Sequence, residues 1–429
     1  MALSAAPTSL HDSGEFDYGE FVDSDGECEV EELSEEPKDY ALGYYYPICI
    51  GDVLNNTYRI EHKLGHGNFS TFWLARDISM EKYVALKIIS PGKGENEYNM
   101  QNEIKRTIQD TSNILMYQTT FFLPGDKGNY HRVLVFPVLG PCLSYHVMKQ
   151  LSVPTRMSAA RPLLMALERL HNAGIVHQRE LTLACCSRIR VHANYSTDLT
   201  DRNVMLDIAT LDNLDTKTKY KCLGQPKKVP LSTRLWKRGE LVKPMEIPKN
   251  LLREAVYLGD SGMASKADTE VEPKVLRPLV YCAPERFHNM NPSFASDIWS
   301  YMCLFTRLYL GVVPWNSTGC SPLMNNMVKA LGPLPRQWMG RYKAFNSDPG
   351  NNSRYDQRRR PDHKEALKTM IKTFRPEASP IERELVLSIL VKGLSYLPEN
   401  RWTEQNFCRT PHLKPSWRST VVKAMKHFS

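Results

Sequence analysis

The residues best suited to chemistry begin at Leu64-Gly65-His66-Gly67-Asn68-Phe69-Ser70-Thr71-Phe72-Trp73, followed by Val84-Ala85-Leu86-Lys87. Two glycines at alternate positions let a hairpin backbone lie close over a triphosphate, where a Cβ would obstruct it. Lys87, one strand later, supplies positive charge for the α- and β-phosphates. Ser70 stands where a G-x-G-x-x-G run has its third glycine, and a plain glycine hairpin accounts for the pair equally well. Further on, Asp198 and Asn203 are set five positions apart in Thr197-Asp198-Leu199-Thr200-Asp201-Arg202-Asn203-Val204-Met205-Leu206. Asp260 follows in Val256-Tyr257-Leu258-Gly259-Asp260-Ser261-Gly262. An aspartate that accepts the proton of an attacking hydroxyl, with an amide oxygen and a second carboxylate as hard ligands for Mg²⁺, is the chemistry of phosphoryl transfer from ATP. The D-x-x-x-x-N spacing is common by chance, and its place in the order of motifs carries the weight.

Other segments must position these groups. A polar, helix-compatible run ends in Asn102-Glu103-Ile104-Lys105, and Glu103 is the expected carboxylate partner of Lys87. Glu95 and Glu97 are rivals that precede the helical pattern. Val133-Leu134-Val135-Phe136 reads as a buried strand. Pro137-Val138-Leu139-Gly140 then turns the chain away, and taken alone the run reads as an ordinary core strand. The order of motifs resembles a protein kinase, and that resemblance implies backbone here offered to an adenine edge, with Phe136 at the back and Val138 and Leu139 alongside. Tyr281-Cys282-Ala283-Pro284-Glu285, Asp297-Ile298-Trp299-Ser300 at the head of an apolar helix, and Pro398-Glu399-Asn400-Arg401 complete the order. The same resemblance implies a buried ion pair between Glu285 and Arg401.

This succession resembles the protein kinases. Its wording, from Asp39-Tyr40-Ala41-Leu42-Gly43-Tyr44-Tyr45-Tyr46-Pro47 and Ile50-Gly51-Asp52-Val53-Leu54 through the hairpin, is similar to the serine/arginine-rich (SR) protein kinases and their divergent fungal relatives. Val135-Phe136-Pro137-Val138-Leu139-Gly140 resembles that family's hinge, with Pro137 in place of a glutamate. Leu223-Gly224-Gln225-Pro226-Lys227-Lys228-Val229-Pro230 resembles the fungal branch. The resemblance runs from about residue 39 to 415. It implies an α+β, bilobal fold and an ATP- and Mg²⁺-dependent Ser/Thr kinase acting on Arg/Ser-rich proteins, often splicing factors, as a monomer in cytoplasm and nucleus. The matching divisions are a small lobe with hinge over 40–140, a large lobe over 141–415 and a tail over 416–429.

Three departures bear on activity. The family histidine belongs two residues before Asp198, where Ser196 stands. Leu170-His171-Asn172-Ala173-Gly174-Ile175-Val176-His177 is the expected lead-in, and deleting the nineteen residues Gln178–Ser196 would join His177 to Thr197-Asp198. That segment reads as an unspliced intron: Arg179-Glu180-Leu181 can encode a GTGAGT donor, and Ala193-Asn194-Tyr195-Ser196 a branch point and acceptor. A genuine surface insertion is the alternative. Thr200 replaces the usual lysine, and Ser261 the usual apolar residue after Asp260. Thr197, in place of an arginine, leaves no receiver for a phosphorylated loop. A nucleotide-binding pseudokinase scaffold is therefore the competing reading.

Residues 1–39 hold thirteen acidic residues and one lysine, a net −12, leaving +20 on the remainder of a chain whose total is +8. The acidic stretch is expected to be a disordered solvating tail, with folding back onto the basic body as the alternative. Arg336, Arg341, Lys343, Arg354, Arg358, Arg359, Arg360 and Lys364 make the large-lobe insert basic, which would repel an arginine-rich peptide. No aromatic residues interleave with this charge in the manner of an RNA-binding module, so no direct nucleic-acid partner is expected. Ten cysteines without paired metal spacing suit a reducing compartment. There is no signal-peptide pattern. The apolar stretch after Asp297 is interrupted by Arg307 and reads as a buried helix, so no membrane partner is expected.

Overall fold

The computed structural model describes residues 19–177, 201–231, 235–267, 269, 279–315, 320–342, 352–358 and 363–409. The chain divides into two units, one of Met1–Pro91, Phe121–Val135 and Leu211–Glu246, the other of Gly92–Thr120, Phe136–Thr210 and Ile247–Ser429.

The first unit opens with β1 (Glu20–Phe21), α1 (Ser24–Leu33) and α2 (Pro37–Ala41). Strands β2 (Val53–Leu54), β3 (Tyr58–Gly67), β4 (Ser70–Asp77), β5 (Lys82–Ile89), β6 (Thr119–Pro124) and β7 (Tyr130–Pro137) form a sheet in the order β2-β3-β4-β5-β7-β6. Alternation along β4 and β5 sends Trp73, Ala75, Val84, Leu86 and Ile88 into one core with Ile48, Ile60, Val133 and Val135.

Two sequence expectations are corrected in this unit. The acidic stretch expected to be a disordered tail is folded from Glu20 onward. Asp23 caps α1 by accepting from the Gly26 N–H, and Val30 is buried with Tyr40, Tyr45, Val229 and Leu241. Its negative charge is met locally: Glu29 pairs with Lys243 at 2.8 Å, and Glu35 pairs with the wholly buried Lys63. The second correction concerns Leu211–Glu246, expected within the large lobe. Its elements α7 (Thr216–Leu223), β10 (Lys227–Pro230) and β11 (Glu240–Val242) belong to the first unit, and β10 pairs in parallel with β1. Buried Lys219 pairs with Glu61, the Tyr83 N–H donates to Asp212 at 2.7 Å, and the Ile50 N–H donates to Glu240 at 2.8 Å. These partners lie far apart in sequence, beyond the reach of local pattern.

The second unit contains α3 (Glu95–Thr107), α4 (Tyr145–Gln150), α5 (Val153–Ser158) and α6 (Ala160–Asn172), then β8 (Ile175–Val176), β9 (Val204–Ile208), β12 (Leu252–Leu258) and β13 (Ser265–Lys266). It ends in α8 (Phe294–Leu310), α9 (Cys320–Leu331), α10 (His363–Phe374), α11 (Pro380–Gly393) and α12 (Glu404–Arg409). Helix α8 starts in a reciprocal Ser293/Ser296 capping box and stops at left-handed Gly311. Almost every side chain between is buried, so α8 is the axis of this unit's core. The expected ion pair is present: Arg401 grips Glu285 through two parallel bonds of 2.8 and 3.0 Å, both side chains essentially without exposure. Among the described residues, no helix is long and apolar enough to cross a membrane.

Candidate active site

The first unit supplies the hairpin. Strands β3 and β4 meet at an Asn68-Phe69 turn, with Gly67 opposite Ser70 and Gly65 opposite Phe72. Phe72 is in turn opposite Lys87, and Leu74 opposite Ala85. Paired residues share a face, so Gly65, Gly67, Phe72, Ala85 and Lys87 line the face turned away from the Trp73 core. The Lys87 ammonium lies 5.4 Å from the centre of the Phe72 ring. A Cβ added at Gly65 would meet nothing within 4 Å, and one at Gly67 only the Ser70 hydroxyl at 3.5 Å. Side-chain packing therefore does not demand these glycines; at Gly65 the backbone itself does, its φ of 158° being one that L residues rarely adopt, and both leave the backbone bare on this face. His66 and Thr71, expected among the nucleotide contacts, fall on the other face, and the Trp73 indole donates to the Thr71 hydroxyl at 3.0 Å. Asn68 and Phe69 form the turn, Leu64 lies at the irregularity of β3 between Lys63 and Gly65, and the Ser90 N–H donates to the Phe69 carbonyl at 2.8 Å.

The second unit supplies the oxygen ligands. Val204 pairs with Leu258 and Leu206 with Val256, so Asn203, just before β9, and Asp260, just after β12, lie at the same end of the ladder. The Gly259 N–H donates to the Asn203 carbonyl at 2.8 Å, tying the two together. Asp260 is held in the left-handed region at φ 55° and ψ 66°, a placement few non-glycine residues adopt without cause. Beneath it, His177 Nε2 donates to the Gly259 carbonyl at 3.2 Å, while the His177 N–H donates to Asp297 at 2.7 Å. His177 thus ties the turn before Asp260 to α8, with Gln178–Ser196 following it in sequence. That segment, Asp198 and Thr200 lie outside the described residues. Beyond them Asp201 is buried, its carboxylate bound by the Tyr281 hydroxyl and Arg307, each at 3.0 Å. Sequence pattern does not single out Asp201; its partners are 80 and more positions away.

Phe136 and Leu139 are buried and Val138 half-buried. The Gly140 N–H donates to the Leu206 carbonyl at 2.8 Å, and a Cβ there would come within 2.9 Å of Ile208. Glycine alone allows this segment to lie against β9.

Helix α3 corrects the choice of Glu103. Its carboxylate is taken by Arg106 at 2.7 Å and Lys266 at 3.0 Å, whose hydrogen bonds lower its pKa to about 2. The buried carboxylate of the helix is Glu97, in its first turn. Asn96 beside it donates to the Gly262 carbonyl at 2.6 Å. A Cβ added at Gly262 would lie 3.1 Å from Asp260 Oδ1 and 3.8 Å from Glu97 Oε2, so both carboxylates border one bare α-carbon. The readable signal was Gly94 followed by Glu95 and Glu97, acids suited to a first helical turn. Ser261 leaves a cavity of about 10 Å³ lined by His177, Leu170, Leu115 and Leu258, room for no more than a water.

In the first unit an open glycine hairpin with a lysine on the same face suits nucleotide phosphates; in the second, a carboxylate with a carboxamide at one ladder end suits Mg²⁺. Among the described residues no group of three or more His, Cys, Asp or Glu could hold a metal unaided. Mg²⁺ bound largely by phosphate oxygens and water asks for only one or two carboxylates.

No family model matches the chain. SRSF protein kinase 3 of Mus musculus is 35% identical over 161 residues, 34% of this chain and 28% of that protein. Serine/threonine-protein kinase spk-1 of Caenorhabditis elegans is 33% identical over 175 residues, 38% of this chain and 17% of that protein. A serine/threonine protein kinase of Aspergillus fumigatus is 25% identical over 321 residues, 69% of this chain and 70% of its own. The chain thus spans less than a third of the mouse relative and more than two thirds of the fungal one. A crystal structure of a kinase domain superposes with a TM-score of 0.55 at 20% identity, covering 86% of this chain and 99% of that domain. The fold is thus that of a protein kinase, and in sequence the chain is similar to SR-protein kinases over about a third of its length and to a fungal serine/threonine protein kinase over about two thirds.

Proposed function

We propose that the chain transfers the γ-phosphoryl group of ATP to serine hydroxyls of protein substrates, Arg/Ser-rich segments among them. The observation that carries this reading is the joining of Asn203 and Asp260 at one ladder end through the Gly259–Asn203 bond of 2.8 Å. A scaffold without turnover has no need of that pair. Magnesium-ATP would supply the phosphoryl group and its charge neutralisation. The Gly65–Gly67 backbone and Lys87 hold phosphates, and Asn203 and Asp260 offer the metal ligands. Asp198, by its spacing from Asn203, orients the acceptor hydroxyl and takes its proton. The helix-glutamate role falls to Glu97, since the Glu103 carboxylate is engaged by two cations. The Arg/Ser substrate class rests on the family resemblance. Exposed Arg336 and Arg341 argue that such a peptide docks away from that surface.

The test is transfer of labelled phosphate from magnesium-ATP to an Arg/Ser-repeat peptide and to a generic basic protein. The full chain is compared with Asp260→Asn and with a chain lacking Gln178–Ser196. Transfer abolished by Asp260→Asn is expected. Transfer only without Gln178–Ser196 would mark that segment as foreign to the working enzyme. Nucleotide bound by all three with transfer by none would overturn the kinase reading in favour of a scaffold.

A further inference from the structure

Among the contacts that hold the hairpin of β3 and β4 from outside its sheet, one at the base and one at the tip come from the segment just before the first long strand. At the base, buried Lys63 pairs with buried Glu35, and the Tyr40 hydroxyl donates to the same carboxylate. Burial alone would push the Glu35 carboxyl up, but Lys63 and Tyr40 outweigh it and keep it low. Lys63 stands opposite Trp73 in the β3–β4 ladder, its ammonium 5.1 Å from the indole, so this pair fixes the root of the hairpin. At the tip, the Tyr45 hydroxyl lies 2.9 Å from the Gly67 carbonyl and 3.2 Å from that of Asn68. The Tyr45 ring is itself buried, its centre 5.6 Å from that of Tyr40.

A glycine at Gly65 with open space around it gives the tip little stiffness of its own. What fixes the tip must then come from outside, and Tyr45 supplies a donor on a rigid ring. We propose that Tyr45 is a positioning residue for nucleotide binding. Its hydroxyl sets the height of the Gly67-Asn68 backbone over the phosphates, and Glu35, Lys63 and Tyr40 form the fixed base from which it acts. The acidic segment is then part of the nucleotide flap.

This rests on the nucleotide reading of the hairpin, and the experiment separates the two. Magnesium-ATP is titrated calorimetrically into the full chain, into Tyr45→Phe, and into Tyr44→Phe as an exposed neighbour given the same change. Amide exchange is followed over residues 62–74 and, as a reference, over Leu163–Leu170. Losing one hydrogen bond predicts a threefold to tenfold weaker affinity in Tyr45→Phe, about the effect of a single such bond. Faster exchange confined to residues 62–74 is expected with it, and no change in Tyr44→Phe. Unchanged affinity and exchange in Tyr45→Phe would overturn the positioning role, as would faster exchange that includes Leu163–Leu170, which marks a general loss of stability. A wild-type chain that binds no magnesium-ATP would overturn the nucleotide reading itself, and this role with it.

Discussion

Two glutamates six positions apart on α3 have opposite fates. Glu103 reaches Arg106 and Lys266 at the surface, and its two cations hold it ionised at any ordinary pH. Glu97 is buried beside Asp260 and Gly262. Glu97→Gln keeps the shape and removes the charge. The expected outcome is a fall of roughly 10²-fold in kcat/KM for peptide phosphorylation, the scale of a misplaced catalytic group. Glu103→Gln should change kcat/KM less than twofold, the usual reach of an exposed ion pair. Steady-state kinetics on the two variants decides it: equal losses would return the role to Glu103. The sequence displayed both residues but could not rank them. Helical periodicity is faint in Glu95-Asn96-Glu97-Tyr98-Asn99-Met100, and the N-terminal boundary of a helix is the least readable part of it. The places of Asn203 and Asp260 left a clearer local signature, a strand on one side and a tight turn on the other, and Lys87 sits within the apolar run of β5.

At the scale of elements, helix α6, the segment after it and helix α8 are joined by charge as well as by packing. His171 on α6 bonds to Asp297 on α8 at 2.9 Å and also pairs with Glu404 on α12. Asp297 accepts the His177 N–H as well, so one carboxylate orients the lead-in to the catalytic loop and neutralises a buried ring. Burial disfavours a charged imidazole, but the two carboxylates outweigh it and push His171 up to about 9. A pKa raised on folding means the folded state binds the proton more tightly than the unfolded chain. Its stabilisation is full below the ordinary histidine value and is lost as pH rises through about 9. The loss is on the order of 3 kcal/mol. Urea denaturation should show a midpoint falling from pH 7 to 9.5, and His171→Gln should flatten that fall. A wild-type midpoint constant over this range would refute the charged ring. Helix α8 was readable from its apolar run and the serines before it. The three-way pairing was not, because Glu404 is contributed by a helix more than two hundred residues from His171.

For the whole molecule, each unit is locked by a buried ion pair of its own: Glu35 with Lys63 in the first, Glu285 with Arg401 in the second. The second pair could be anticipated because both residues sit in recognisable motifs. The first could not, because Glu35 lies in a run of acids whose composition reads as solvated chain. Yet the charge that should keep such a run unfolded is answered by Lys63 on β3, which takes Glu35, and by Lys243 just after β11, which takes Glu29. Cutting a buried pair leaves an uncompensated charge and costs about 3–5 kcal/mol. Glu35→Ala should therefore accelerate amide exchange across β3–β5 while α8 remains protected, and Arg401→Ala should expose α8 while β3–β5 remain protected. Exchange mass spectrometry on both variants reads the two units separately, without assuming a single unfolding step. Uniform acceleration in both would mean that the units unfold as one body and that neither pair is local. If the losses do separate, the acidic start of the chain is a structural part of the sheet that carries Lys87, and shortening the chain to its kinase-like motifs would remove the support of its own nucleotide flap.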